Sequence, residues 1–353
     1  MTAQPALFAP GRRVTPTAYR VLPADADERT WLARRRDGIG SSDVAAILGV
    51  AEHRTALHVW HDKRGALPDS DAGEAALWGH LHEDTVAREW ARRNRSTVRR
   101  VGLVANVDRT WMLTTLDRQI GICPLDRQAG TICALEVKTR NAFVAGRWRR
   151  DVPDDVLAQV VWEMATTGYT HIHVACLIGG NDYRQYVIRR DPDLEADIVT
   201  AAERFYTDNV LAGVRPVVDE LHRYADDLVD LDNRIHPNRF GEARIGGARI
   251  FELVQEYERH RLLAQRHEQL QKAAKAQMVA VLDGAEVALA AEGREAPVWS
   301  YFERRQRPGV DLAGLAERHP DAYADCVTEK SGRVLAIAAD LRLKEGDLDD
   351  DVA

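Results

Sequence analysis

The sequence has no run of roughly eighteen apolar residues, so no segment reads as a membrane-spanning helix. The stretch before Arg12 does not join a charged start to an apolar core, which leaves no signature of secretion and makes the cytoplasm the expected compartment. Cysteine is scarce. The four thiols, Cys123, Cys133, Cys176 and Cys326, include no Cys-x-x-Cys pair of the kind that marks a zinc or iron–sulfur site, and they are expected to be reduced, buried small residues. No internal repeats occur. An excess of positive charge is also missing: the net charge is −7, which by itself weighs against a nucleic-acid partner.

The distribution of charge changes that reading. Asp347, Asp349, Asp350 and Asp351 crowd the tail, whereas Arg92, Arg93, Arg95, Arg99 and Arg100 form one basic run and Arg140, Arg147, Arg149 and Arg150 another. A charge run is usually a solvated face. Two such runs flank the carboxylate-rich region described next, where DNA backbone contact is the sharper reading.

With 353 residues, 45% of them hydrophobic, the chain can build one large core and a smaller unit. Residues 1–30 lack periodicity and read as a loosely ordered lead-in. Residues 31–219 alternate helical and strand-like segments, which predicts an α/β domain with a mixed central sheet flanked by helices. Within residues 220–292 lies a long helix or helical hairpin over about 250–291, with Val254, Tyr257, Leu263, Leu270, Ala274, Met278 and Val281 at helical steps, a coiled-coil-like extension. Residues 293–353 read as a small α+β appendage, strand-like over 298–302, with an acidic tail.

Residues 111–139 carry the most chemistry. Strand alternation over residues 132–139 puts Glu136 and Lys138 on one face, roughly 7 Å apart. Residues 111–122 read as a second strand. If the two form a hairpin centred between Asp126 and Arg127, Asp117 faces Glu136 with Cβ atoms about 5 Å apart. Two carboxylates so placed repel unless a cation or a proton lies between them. A hard divalent ion such as Mg²⁺ fits that need, and Lys138 is placed to assist hydrolysis of a phosphate. Taken alone, the pattern is better explained by an exposed hairpin with an ordinary surface Glu/Lys pair. A helix expected over residues 74–93 places Gly79, Glu83, Val86 and Trp90 on one stripe, so Glu83 shares its face with apolar groups.

Taken in order, these segments resemble the YqaJ-like viral recombinase / lambda exonuclease family of the PD-(D/E)XK nuclease superfamily. The resemblance rests on RRDGIGSSDVAAILG from Arg35 to Gly49, WGHLHE ending at Glu83, Asp117, LEVK ending at Lys138, and AQV around Gln159. It continues through Gly168, the strand-like segments over residues 171–178 and 183–190, and Gly179-Gly180. It implies a restriction-endonuclease-like core whose metal site uses Glu83, Asp117, Glu136 and the Val137 carbonyl. Lys138 would be the catalytic lysine and Gln159 a helix-borne site residue. Mg²⁺ is the implied cofactor, with Mn²⁺ able to substitute. Arg35 and Ser42 match positions that hold the terminal phosphate of a DNA end, with Arg36 and Ser41 beside them, and Arg140 and Arg147 extend the DNA-binding candidates. Ser41 or Ser42 is expected to cap the helix over residues 43–48. Arg118 departs from the family pattern, in which glycine commonly follows the aspartate.

The expected activity is digestion of one strand of double-stranded DNA from an end, 5′ to 3′, in recombination by single-strand annealing. An annealing protein and further copies of the chain are the implied partners. The alternatives are a structure-selective or restriction-like endonuclease, and a catalytically silent DNA-binding or assembly module.

Overall fold

The computed structural model describes residues 12–68, 73–128, 132–289, 297–301, 303, 311–327 and 342. In chain order the elements are β1 (Ala18–Arg20), α1 (Glu28–Arg35), α2 (Ser41–Ile47), α3 (Ala56–Lys63), α4 (Glu74–Arg93), β2 (Val98–Arg99), β3 (Leu103–Asn106), β4 (Leu113–Thr115), β5 (Arg118–Ile120) and β6 (Cys133–Arg140). There follow α5 (Asp154–Thr167), β7 (His171–Ile178), β8 (Asp182–Arg189), α6 (Pro192–Arg204), α7 (Ala225–Ile235), α8 (Arg249–Val281), β9 (Val287–Ala288), β10 (Trp299–Ser300), α9 (Leu312–Arg318) and α10 (Pro320–Cys326). They fall into two units, residues 1–239 and residues 240–353.

The first unit is a mixed α/β fold around a five-stranded sheet of order β2-β5-β6-β7-β8. Only the β6–β7 pair is parallel. That pair needs a crossover, and α5 supplies it. Alternation along β6 and β7 divides the core between the two sheet faces. Ala134, Ile172, Val174 and Cys176 pack beneath α2, α5 and α6, together with Val44, Val160, Val161, Ile198 and Ala202. Cys133, Leu135, Val137 and Ala175 pack on the opposite face against Val86, Ala87 and Trp90 of α4.

The α5 helix shows why this segment is helical. Asp154 and Asp155 sit at its positive end, and Gly168 closes it with φ 76°, a left-handed conformation suited to glycine. A Cβ there would lie 2.8 Å from the Thr17 side chain. Thr17 also donates to Thr166 O, which ties the bend leading into β1 to this helix end.

Two expectations need correction. Residues 111–122 are not one strand: β4 belongs to a separate three-stranded sheet, β1-β3-β4, and the chain changes sheet at Leu116 and Asp117 before β5 begins. Local alternation runs through the break because the change is one of pairing partner. Likewise, the segment read as a loose lead-in contains β1, whose Ala18 and Tyr19 are buried through antiparallel pairing with β3. Three residues are too few to show a period. Residues 1–11 of that lead-in lie outside the described residues.

In the second unit, α8 is one 33-residue helix, about 50 Å long at 1.5 Å per residue. Of the predicted stripe, Tyr257, Leu270, Met278 and Val281 stand exposed. Trp299 and Ala288 pair in a short β9–β10 hairpin; Phe302, also read as strand, lies outside the described residues, as does the acidic tail over 347–351. No described helix is long and apolar enough to cross a membrane.

Candidate active site

The β5–β6 register pairs Arg118 with Leu135, Gln119 with Ala134 and Ile120 with Cys133. One step further places Asp117 opposite Glu136, the relation expected from a hairpin centred between residues 126 and 127. The Val137 N–H donates to Asp117 Oδ2 at 2.7 Å, so the aspartate is held by the strand that carries the glutamate. Glu136 lies on the α5 face, where it meets Gln159. Burial, and then the charge of Glu136, push the Asp117 pKa well above the usual carboxylate range.

Lys138, two residues beyond Glu136 on the same face, donates to Glu136 Oε1 and, at 2.7 Å, to Gln159 Oε1. Burial alone would lower its pKa, but the charges of Glu136 and Asp117 outweigh burial and raise it, so the ammonium is held protonated. Gln159 projects from α5 and completes the arrangement. Its Nε2 donates to Glu136 Oε1 at 2.8 Å and to Glu163 Oε1 at 3.0 Å. One amide thus orients the lysine and both glutamates.

Glu163 was missed from the sequence. It is buried one turn after Gln159, and burial followed by the Glu136 and Asp117 charges raises its pKa well above normal. Its signal was a lone carboxylate between Trp162 and Met164, four residues from Gln159 and therefore on the same helix face.

The third proposed carboxylate is differently occupied. Glu83 lies on α4, whose bounds match the expected helix, and it accepts from Arg118 Nη1; the neighbouring Asp84 accepts from Nη2 at 3.2 Å. Arg118 is itself buried. The departure from glycine therefore places a guanidinium between the α4 carboxylates and the strand pair. Gly79 of the same stripe would bring a Cβ only to ordinary contact, 3.5 Å from Thr139 Oγ1, so packing against β6 does not demand glycine there.

The carboxylate pair passes a chemical test for a hard cation. Glu136 is 1% exposed, and its Oε2 is a buried oxygen with no hydrogen-bond partner. Such an atom carries a desolvation cost unless a proton or a metal faces it. Asp117 and Glu136 are the residues that fit one.

The phosphate-end candidates come together in part. Arg35 Nη2 donates to Ser42 Oγ at 3.1 Å and to the buried Asp43 at 3.3 Å. Asp43 also pairs with Lys63 at 2.6 Å and Arg54 at 3.0 Å; these cations overcome its burial and hold its pKa down. Arg36 points its Nε to Asp62 at 3.3 Å. Ser41 is buried and accepts from Thr114, so it is not grouped with Arg35 and Ser42. Neither serine is the helix cap. Gly40 holds that position, its N–H donating to Asp43 Oδ2 at 3.0 Å, because the Asp43 carboxylate reaches back to it. Arg140 continues the Lys138 face of β6 and pairs with Asp155 at 3.6 Å, while the half-exposed Arg147 reaches Glu52 at 3.2 Å.

The fold and site define an α/β chain with a buried carboxylate–lysine centre on a mixed sheet. Residues 30–170 match the model of the YqaJ-like viral recombinase domain, and every proposed centre residue lies within that matched span. The chain is 35% identical over 203 residues to the protein YqaJ of Bacillus subtilis (strain 168), an alignment covering 54% of this chain and 58% of that protein. An alkaline exonuclease, LHK-Exo, from Laribacter hongkongensis is 19% identical, with 57% of this chain and 99% of that one covered at a TM-score of 0.44. The same enzyme in complex with dAMP is 20% identical over the same shares, also at 0.44.

Proposed function

We propose that this chain is a metal-dependent, phage-type deoxyribonuclease that digests one strand of duplex DNA from an end, 5′ to 3′, in recombination by single-strand annealing. The reading rests on the shared contacts of Glu136, Lys138 and Gln159 beside Asp117, within a family whose model bears the name of a viral recombinase.

Asp117 and Glu136, with the Val137 carbonyl, would hold the cation, Mg²⁺ or in its place Mn²⁺. When bound it neutralises the paired carboxylates and supplies Lewis acidity toward the scissile phosphate. Lys138, kept cationic by its neighbours, stabilises the charge that develops on the phosphoryl oxygens. Gln159 fixes the lysine's direction through its amide oxygen. Arg35 and Ser42 form a paired donor set for the terminal phosphate, and Arg140 and Arg147 extend the basic surface along the strand. Glu83 joins the metal site only if Arg118 yields it.

The deciding experiment incubates end-labelled linear duplex with the protein and Mg²⁺, Mn²⁺ or EDTA, alongside Glu136→Ala and Lys138→Ala. Release of label from free ends with either metal, its loss in EDTA and its loss in both variants support the assignment. Variants that digest DNA as fast as the parent overturn it. Cleavage of a closed circle would make the protein an endonuclease.

A further inference from the structure

A second cluster lies on the other sheet face, beneath α4. Cys133 begins β6, and the parallel register sets it beside His171 at the start of β7; His173 follows two residues on, on the same face. Cys123 comes from the turn after β5, three residues beyond Ile120, which pairs with Cys133. All four side chains are buried, and their ligand atoms lie within 4.8 Å of one another.

Packing alone accounts poorly for this arrangement. Cys123 Sγ lies 3.1 Å from His171 Nε2 and 3.6 Å from His173 Nε2. A thiol has one hydrogen to donate, so without a metal one of the two rings must direct its N–H at sulfur, a weak acceptor. The rings meet edge to face at 5.2 Å, and Trp90 packs edge-on to His173 at 5.0 Å, so apolar surroundings enclose the group. Both imidazoles are buried, and a neutral imidazole offers one nitrogen lone pair as a ligand. Thr170 Oγ1 lies 3.2 Å from His171 Nδ1, a partner for the remote nitrogen that leaves Nε2 directed into the cluster.

We propose that Cys123, Cys133, His171 and His173 form a structural zinc site. Tetrahedral zinc, with Zn–S of about 2.3 Å and Zn–N of about 2.0 to 2.1 Å, requires ligand atoms spaced about 3.3 to 3.8 Å apart, a spacing compatible with the cluster's 4.8 Å limit. Two thiols release their protons to solvent on loading, and two thiolates with Zn²⁺ make a neutral unit suited to a buried site. Four protein ligands leave no open position, so the role is structural rather than catalytic. The ion would clamp the β5 turn to the starts of β6 and β7. Glu136 stands three residues from Cys133, so the clamp braces the strand that carries the proposed nuclease centre. The zinc proposal does not depend on that centre being active.

The test measures metal content of the full chain expressed in zinc-supplemented medium. About one zinc per chain is expected in the parent and in Asp117→Ala, falling below about 0.1 in the double variant Cys123→Ser/Cys133→Ser. Metal-depleted parent protein titrated with Co²⁺ should show tetrahedral ligand-field bands and thiolate-to-cobalt charge transfer, a readout that does not require the cysteine variant to fold. Parent protein without zinc, bound iron in its place, a Cys123–Cys133 disulfide in freshly purified protein, or Co²⁺ binding without a charge-transfer band would overturn the proposal.

Discussion

Gln159 accepts from Lys138 Nζ at 2.7 Å while its own Nε2 donates to Glu136 at 2.8 Å, so one side chain on α5 fixes the separation of a cation and an anion on β6. Helix and strand are thereby coupled through polar atoms as well as through the apolar core.

Gln159→Ala removes both contacts and leaves the lysine free to change rotamer. Loss of a group that orients a site residue typically costs about 10–100-fold in activity, and a decrease of that size is expected here. The Mg²⁺ concentration for half-maximal rate should rise as well, because the amide also holds Glu136, a proposed metal ligand. Digestion rates across a Mg²⁺ series check this, with thermal melting as a folding control. An unchanged rate would exclude a positioning role.

Glu163 gives the pH dependence. Its folded pKa lies above its unfolded value, so between the two the folded state binds more protons and stability falls as pH rises. In metal-free protein the loss begins near the ordinary glutamate value of about 4.3 and is complete above the raised folded pKa. Glu163→Gln cannot ionise, and its amide can still accept from Gln159. Urea unfolding in EDTA at several pH values should show a smaller decline for the variant than for the parent. Parallel curves for the two proteins would contradict the assignment of burial strain to this carboxyl.

Arg118 competes with any cation for Glu83. A hydrogen bond to a charged group contributes about 1.5 kcal/mol or more, equivalent to roughly tenfold in binding. Arg118→Gln should therefore lower the Mg²⁺ requirement for DNA digestion by about tenfold, provided Glu83 turns to the metal once released. A lower thermal midpoint is expected as well, since the buried guanidinium packs under α4. An unchanged Mg²⁺ requirement would mean that Glu83 takes no part in metal binding.

What could be read from the sequence was local or came from a hairpin register. Asp117 faces Glu136 because a turn between neighbouring strands sets pairing by counting. The bounds of α4 followed from apolar spacing and the lack of internal breakers. The break between β4 and β5 was hidden because a change of sheet depends on β3, not on residues nearby. Cys123 and Cys133 looked like isolated thiols for the same reason: their partners, His171 and His173, arrive through a crossover some forty residues later. Glu163 was within reach, since helical spacing from Gln159 already pointed to it.

Arg35 and Arg36 are adjacent in sequence but face different partners, and that difference is testable at the DNA end. Arg35 shares its Nη2 between Ser42 and Asp43, while Arg36 directs its Nε to Asp62. A terminal phosphate docking on Arg35 and Ser42 would take up charge-assisted hydrogen bonds worth about 1.5–3 kcal/mol. Arg35→Ala should accordingly reduce the preference for 5′-phosphorylated over 5′-hydroxyl ends by about ten- to a hundredfold, and Ser42→Ala by less. Arg36→Ala should leave that ratio within about twofold of the parent, because its contact lies on α3. Competition between the two end types in a single digestion measures the ratio directly and cancels differences in protein activity. If Arg36→Ala abolishes the preference and Arg35→Ala does not, the phosphate is held by the neighbouring arginine and the Arg35–Ser42 pair is only a helix contact.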